Sequence, residues 1–319
     1  MNTKNTIGLG TAAIGRPLYI NIRQENGVQP FSMAKFQQKG IKMLENAYQT
    51  GIRHFDTAPG YGMAEKLLLS WVKEKNDPEI TISTKWGYTY VADFDPLATV
   101  HEIKEHSLAK LNQQWEISQA FLPYLKSYQI HSATFESAVL ENEQVLTRLH
   151  QLKKQHQLAI GLTTTGANQI TVLEKALSIE VEQERLFQSV QFTFNVLDQS
   201  MRSMQKLLKK LSGPIIIKEA LANGRLIPNR NFSHYQPLYT YMNQLADTYK
   251  VGVDAIALRF CMDIFKNATV LSGANHPEHL RSNYDVNTFY LKDHELATLQ
   301  SFAITPEHYW KERKQLAWN

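Results

Sequence analysis

The sequence predicts an α/β protein of one domain, a (β/α)8 TIM barrel running through residues 1–319 with a C-terminal extension. Three observations carry this. Eight short β-branched or apolar runs recur, at 6–11, 52–56, 80–85, 128–131, 159–163, 189–193, 214–218 and 268–272, and stretches with helical spacing separate them. Runs apolar on both faces suit parallel strands covered by helices, and eight in alternation is the count that closes a barrel. The length agrees: such barrels take about 250 residues plus insertions, so 319 residues need no second domain. No low-complexity stretch or linker divides the chain.

The first run leads into residues 17–31, a segment longer than most strand-to-helix loops that carries Gly27 and Pro30. In a barrel it would overhang the C-terminal face, where active sites lie. Over 35–49, Ile41, Leu44 and Ala47 follow the spacing of one helical face, and Gly51 supplies a stop before the second run. Further along, Asp254 is placed to cap a helix ending near Ile264, and Pro277 suits a first helical turn. Residues 229–241 and the tail after Thr305 are further lid candidates, and Trp310 and Trp318 predict that the tail packs on the body.

Composition narrows the function classes. The formal charge of +4 comes from lysines and arginines dispersed among acids, which gives no footprint for nucleic acid. Cys261 is the only cysteine, so an intrachain disulfide, a CxxC pair and a Cys-rich zinc site are all excluded; it lies in an apolar run and is expected in the core. No run approaches the ~18 apolar residues of a membrane span, and residues 1–6 lack the apolar stretch of a leader. A cytoplasmic protein without membrane contact is expected.

The chemistry concentrates at the ends of consecutive runs. The second ends in Asp56, and the loop after it, Thr57-Ala58-Pro59-Gly60-Tyr61-Gly62, carries a tyrosine five residues on. The third ends in Ser83-Thr84-Lys85 and the fourth in Tyr128-Gln129-Ile130-His131. Taken singly each has a bland role: a rim tyrosine, a helix cap, a solvated lysine, a core imidazole. Together, on three strand ends, they resemble the catalytic set of the aldo-keto reductase superfamily, and the resemblance runs from Gly8 to about Asn283.

That resemblance implies NAD(P)H-dependent reduction of an aldehyde, ketone or sugar carbonyl, or oxidation of the alcohol. A carbonyl that accepts hydride becomes an alkoxide and needs a proton, and Tyr61 is the implied donor. Lys85 beside the phenol should bring its pKa down toward the working range, Asp56 should hold Lys85, and His131 should orient and polarise the substrate oxygen. The implied cofactor contacts are Gly10, Thr11, Asp56, Thr163, Thr164, Gln191, Lys218, Ala220, Leu221, Ser272, Gly273, Ala274, His279 and Asn283. The run from Ser272 to Asn283 resembles the family's adenosine-phosphate segment, where amides at a helix N-terminus meet a phosphate.

Several positions depart from the family pattern. Thr163-Thr164 stands in place of serine-asparagine after the fifth strand. Lys218 stands where many members stack an aromatic on the nicotinamide, and its charge would disfavour the cationic oxidised ring unless Glu219 compensates. Gly273, Asn275 and His279 replace the cations that often meet a 2′-phosphate, with His279 the remaining candidate; NADP(H) is still favoured over NAD(H). Trp86 and Tyr88 are expected to wall a site for a small-molecule carbonyl or alcohol. Two other readings stand beside the enzyme. One is a cofactor-loaded regulatory or redox-sensing subunit. The other is a metal-dependent hydrolase, for which His54 shares a strand face with Asp56 while His101, His106 and His150 are expected in helices; no metal is predicted.

Overall fold

All eight predicted runs become strands of one closed parallel barrel, β1 (Thr6–Gly10), β2 (His54–Asp56), β3 (Thr81–Trp86), β4 (Leu125–Ala133), β5 (Ala159–Thr164), β6 (Ser189–Thr193), β7 (Ile215–Lys218) and β8 (Thr269–Ser272). The computed structural model describes residues 6–18, 32–95 and 97–318. Each strand pairs with its neighbours in chain order, and β8 closes on β1 through Thr6 to Leu9 against Thr269 to Ser272. The architecture is a single-domain (β/α)8 TIM barrel.

Inside the barrel, small polar residues fill the space below the mouth. Ser127 and Ser189 Oγ atoms lie 2.7 Å apart, and Gln129 Nε2 donates to Ser189 Oγ at 3.2 Å. Gly161 is needed there: a Cβ would sit 2.8 Å from the Ser189 carbonyl oxygen. The outer layer is built by helices whose apolar faces meet the strands. Met33–Thr50 buries Met43, Leu44 and Ala47, and ends as predicted at Gly51, whose left-handed φ of 106° lets its N–H reach the Ala47 and Tyr48 carbonyls. Ala64–Lys75 buries Trp71 against Phe55, with ring centroids 5.0 Å apart, while the indole N–H donates to Glu45 on the adjacent helix. Burying a large side chain of this kind contributes ~1.5–3 kcal/mol. Cys261 is buried in the core of helix Val253–Ile264.

Several local expectations need correction. Asp254 is not a cap: Gly252 precedes the helix, and the Asp254 carboxylate in its first turn accepts from Ser282 Oγ at 2.8 Å and Asn283 Nδ2 at 2.5 Å. It braces the helix Pro277–Tyr284, which Pro277 opens as expected. His101 and His106 are not helical; they flank the strand Glu102–Lys104, which forms a hairpin with Tyr88–Tyr90 beyond β3. Only His150 lies in a helix, Glu143–His156.

Of the lid candidates, 17–31 falls almost wholly outside the described residues. Residues 229–241 form a short 3-10 helix, Arg230–Tyr235, continuing into the helix Gln236–Tyr249. The tail forms the helix Pro306–Lys314 with Trp310 buried, and Trp318 stacks on His101 with centroids 4.3 Å apart. Among the described residues no helix is long and apolar enough to cross a membrane.

Candidate active site

Parallel strands in one ring deliver their C-terminal residues to one mouth, so Asp56, Lys85, Thr163, Gln191 and Lys218 converge although they span the chain. Thr11 fixes the end of β2, its N–H and hydroxyl both reaching the Asp56 carbonyl, at 2.9 and 3.0 Å. The Asp56 carboxylate then accepts from Lys85 Nζ at 2.5 Å and from Gln191 Nε2 at 2.7 Å. Lys85 Nζ also donates to the Thr57 carbonyl at 2.9 Å, and its side chain is fully buried. The pair is therefore a desolvated one in which each charge depends on the other.

Tyr61 packs on Ala58 and Ala64 in the loop after β2. The preceding short helix Ala12–Gly15 comes so close that a Cβ on Gly15 would lie 2.2 Å from the Tyr61 carbonyl oxygen. That contact fixes where the tyrosine stands. Lys85 Nζ lies 4.8 Å from the Tyr61 ring centroid, and the His131 ring meets it edge-on at 5.5 Å. The four predicted residues are brought together.

Their electrostatics differ from expectation in one respect. Burial, reinforced by the Asp56 charge, holds the Tyr61 phenol well above its ordinary range, with Arg16 pulling the other way. The Lys85 ammonium, paired with Asp56, does not offset this rise. Tyr61 is thus a firmly protonated phenol. His131 is pushed well below the usual imidazole range, by burial first and then by the Lys85 and Lys218 charges, so it is neutral. Its Nδ1 is buried without a hydrogen-bond partner, while its carbonyl accepts from His106 Nε2 at 3.0 Å.

Of the predicted substrate wall, Tyr88 stands against His131 with centroids 4.6 Å apart. Trp86 does not line the mouth: it is wholly buried and packs edge-on to His106. Thr163 accepts from the Ser132 N–H at 2.7 Å, and Thr164 is buried with its hydroxyl 3.4 Å from Gln169 Oε1, directed to the helix that follows. At β8, Ser272 donates to Asn283 Oδ1 and accepts from the Ala274 N–H, so Asn283 is tied between Ser272 and Asp254. Gly10 ends β1 and Ala220 follows β7, neither with a side-chain polar group, and Leu221 after it is half-buried. Gly273 and His279 are exposed, and a Cβ on Gly273 would meet nothing within 4 Å.

Sequence reading missed the pairings that tie the loops at the mouth to the hairpin and the C-terminal helix. The Arg16 guanidinium is buried over the Tyr61 ring at 5.3 Å and under Trp318 at 4.7 Å, donates to the Gly60 carbonyl and pairs with Glu102 at 2.7 Å. On the opposite side, Arg313 binds the Glu219 carboxylate and Trp310 Nε1 donates to Asp198 at 3.2 Å. These join the tail to the mouth.

A (β/α)8 barrel whose mouth sets a buried carboxylate–ammonium pair beside a phenol and a neutral imidazole defines a class of barrel oxidoreductase. Residues 6–304 match the Aldo/keto reductase family model, and the chain belongs to that family. It is similar to the NADH-specific methylglyoxal reductase of Escherichia coli, 21% identical over 94% of this chain and 95% of the relative. Among solved structures, the glycerol dehydrogenase of Gluconobacter oxydans shares the fold with a TM-score of 0.68 at 20% identity, over 93% of this chain and 90% of that one. A Bacillus halodurans aldo-keto reductase in its holo form does so at 0.67 and 16%, over 94% and 92%.

Proposed function

We propose that the protein reduces the carbonyl of a small aldehyde, ketone or sugar, with Tyr61 as the proton donor and a nicotinamide dinucleotide as the hydride source. The observation that carries this is the mouth itself, where Asp56, Lys85, Tyr61 and a neutral His131 meet on three adjacent strand ends. The residues present fit such a cofactor. His131 Nδ1 has no protein partner, Gly273 leaves open space directly after β8, and the Gln191 amide stands at the mouth on Asp56. Gly10, Thr11, Gln191, Lys218 and the segment from Ser272 to Asn283 would hold it.

When bound, the cofactor supplies the hydride. The protein's share is placement and proton supply. His131, neutral, donates one ring N–H to the carbonyl oxygen and polarises it without competing as an acid. Tyr61, protonated across the working pH range, gives its proton to the same oxygen as charge develops there. Lys85 offers a positive charge near the phenolate so formed, and Asp56 with Gln191 keeps that charge in place. Tyr88 limits the space beside His131.

For the dinucleotide, the geometry favours NADH over the NADPH expected from the family resemblance. In the first turn of Pro277–Tyr284 the carboxylate of Glu278 is exposed and lies 3.8 Å from His276 Nδ1, and no lysine or arginine precedes it in that segment. An anion there repels a 2′-phosphate. The E. coli relative is NADH-specific by name, which supports the same reading.

The test is oxidation of NADH and NADPH over a panel of small carbonyls, with Tyr61→Phe beside wild type. Loss of the general acid should lower kcat by ~10²–10⁴-fold while dinucleotide binding, followed by tryptophan fluorescence, persists. A phenylalanine variant keeping a third of wild-type kcat, or a wild type that oxidises neither cofactor, refutes the proposal.

A further inference from the structure

Lys218 ends β7 with its Nζ donating to Thr193 Oγ1 at 3.1 Å, on the strand paired beside it. That neutral hydroxyl is its hydrogen-bond partner; among the described residues no carboxylate lies within ion-pair distance of the ammonium. The adjacent Glu219 does not supply one. Its backbone is left-handed, with φ 56°, and its carboxylate accepts from Arg313 Nε at 2.9 Å and Nη2 at 2.7 Å, and from the Tyr309 hydroxyl at 3.2 Å. From beyond ion-pair distance the Glu219 charge still acts on Lys218 more than any other, followed by those of Arg313, Lys85 and Asp198, and the Trp310 ring centroid is 5.9 Å from Nζ. Asp198 is itself engaged by Ser200, Gln169 and Trp310.

In a ring of eight strands taken in chain order, β7 faces β3, so Lys218 stands across the mouth from Lys85 and from Tyr61 beside it. Thr163, Gln191, Thr193 and Lys218, at the ends of β5, β6 and β7, would hold the nicotinamide of a bound cofactor at the mouth that Tyr61 and His131 share. Resting on the function proposed above, we infer that Lys218 makes the site discriminate between the two redox forms of the cofactor, holding the reduced form and expelling the oxidised one. Hydride leaves the dihydronicotinamide with its electron pair and bonds to the carbonyl carbon. The oxygen takes the Tyr61 proton, which solvent later restores, and the ring is left with one positive charge facing an ammonium that has no ion pair of its own, since Glu219, the carboxylate that acts on it most, is bound to Arg313. The product complex is the repelled one, so the residue drives release of oxidised cofactor and sets the protein to work as a reductase.

The experiment measures dissociation constants of NADH and NAD⁺, and of NADPH and NADP⁺, by quenching of tryptophan fluorescence in wild type, Lys218→Met and Lys218→Arg at pH 7. Wild type should bind the reduced form more tightly. The methionine variant should lower the oxidised-to-reduced ratio of dissociation constants on the order of tenfold, as expected when one of two nearby like charges is removed from a partly desolvated site, and arginine should keep the wild-type ratio. Burial pushes the Lys218 ammonium down to about 8. The wild-type ratio should therefore fall between pH 7 and 9, and the methionine variant should lack that fall, which separates Lys218 from Lys85, Arg313, Glu219 and Asp198. If wild type binds neither redox form, the cofactor reading falls together with this one. If both forms bind and methionine leaves the ratio within twofold, this inference alone is overturned.

Discussion

Replacing Lys85 by methionine separates what the buried pair does for the fold from what it does for chemistry. The ammonium lies 2.5 Å from Asp56 Oδ2, with the side chains 0% and 3% exposed. At an effective dielectric of ~20, unit charges that close attract by about 7 kcal/mol, most of which desolvation of the two ions offsets. Removal of one partner does not recover the difference. Lys85→Met leaves the Asp56 carboxylate buried with Gln191 as its remaining side-chain donor and takes away the donor to the Thr57 carbonyl. The expected cost is about 3–5 kcal/mol. With an unfolding entropy of ~2.1 cal/mol/K per residue over 319 residues, that lowers Tm by about 4–8 °C. Adding Asp56→Asn discharges the site and should restore more than half of the lost stability, while carbonyl reduction stays absent in both variants. Urea unfolding at constant m-value reports the stability and NADH oxidation the chemistry. A single variant that loses less than about 1 kcal/mol, or a double variant no more stable than the single, refutes a mutually dependent pair.

Glu65 and Glu278 give two further outcomes. Glu65 is buried beneath the site, accepting from Thr84 Oγ1 at 2.5 Å and Ser118 Oγ at 3.2 Å, and burial raises its carboxyl to about 7. Because the folded form keeps a proton that the unfolded form loses above its ordinary value, stability should fall as pH rises from about 4.5 to 7, by ~3 kcal/mol, and then level off. Glu65→Gln should remove this contribution, and identical pH–stability curves for the two proteins would exclude it. Glu278→Arg should improve NADPH affinity relative to NADH several-fold, as exchange of an exposed anion for a cation beside a phosphate predicts; an unchanged ratio in fluorescence titrations would leave the preference to backbone groups.

The barrel was legible because its strands are buried on both faces and so read as short apolar runs, which turn signals such as Gly51 separate from the helices. The candidate site was legible where a strand end alone decides position, as for Asp56, Lys85 and His131. What escaped depends on contacts between segments far apart in the chain. Arg313 meets Glu219 across 94 residues and Arg16 meets Glu102 across 86, and neither pairing leaves a periodic trace. Its place after Lys85 predicts Trp86 at the mouth, but successive strand residues point to opposite faces, and its side chain packs outward on His106. The sequence places Lys85 beside Tyr61 but does not show that Asp56 holds the ammonium while burial raises the phenol, a matter of ångströms.

The hydrogen bond from Gln191 to Asp56 links residues 135 positions apart, across the interior from β6 to β2. With Lys85 of the neighbouring β3 on the other carboxylate oxygen, one aspartate is clasped from beside and from across the ring. Such a clasp cannot exist in a half-closed intermediate, since its parts meet only once the ring of strands is complete. Recovery of turnover during refolding would therefore be a late clock, counting finished barrels and ignoring every partly collapsed chain, however rich in helix it had become.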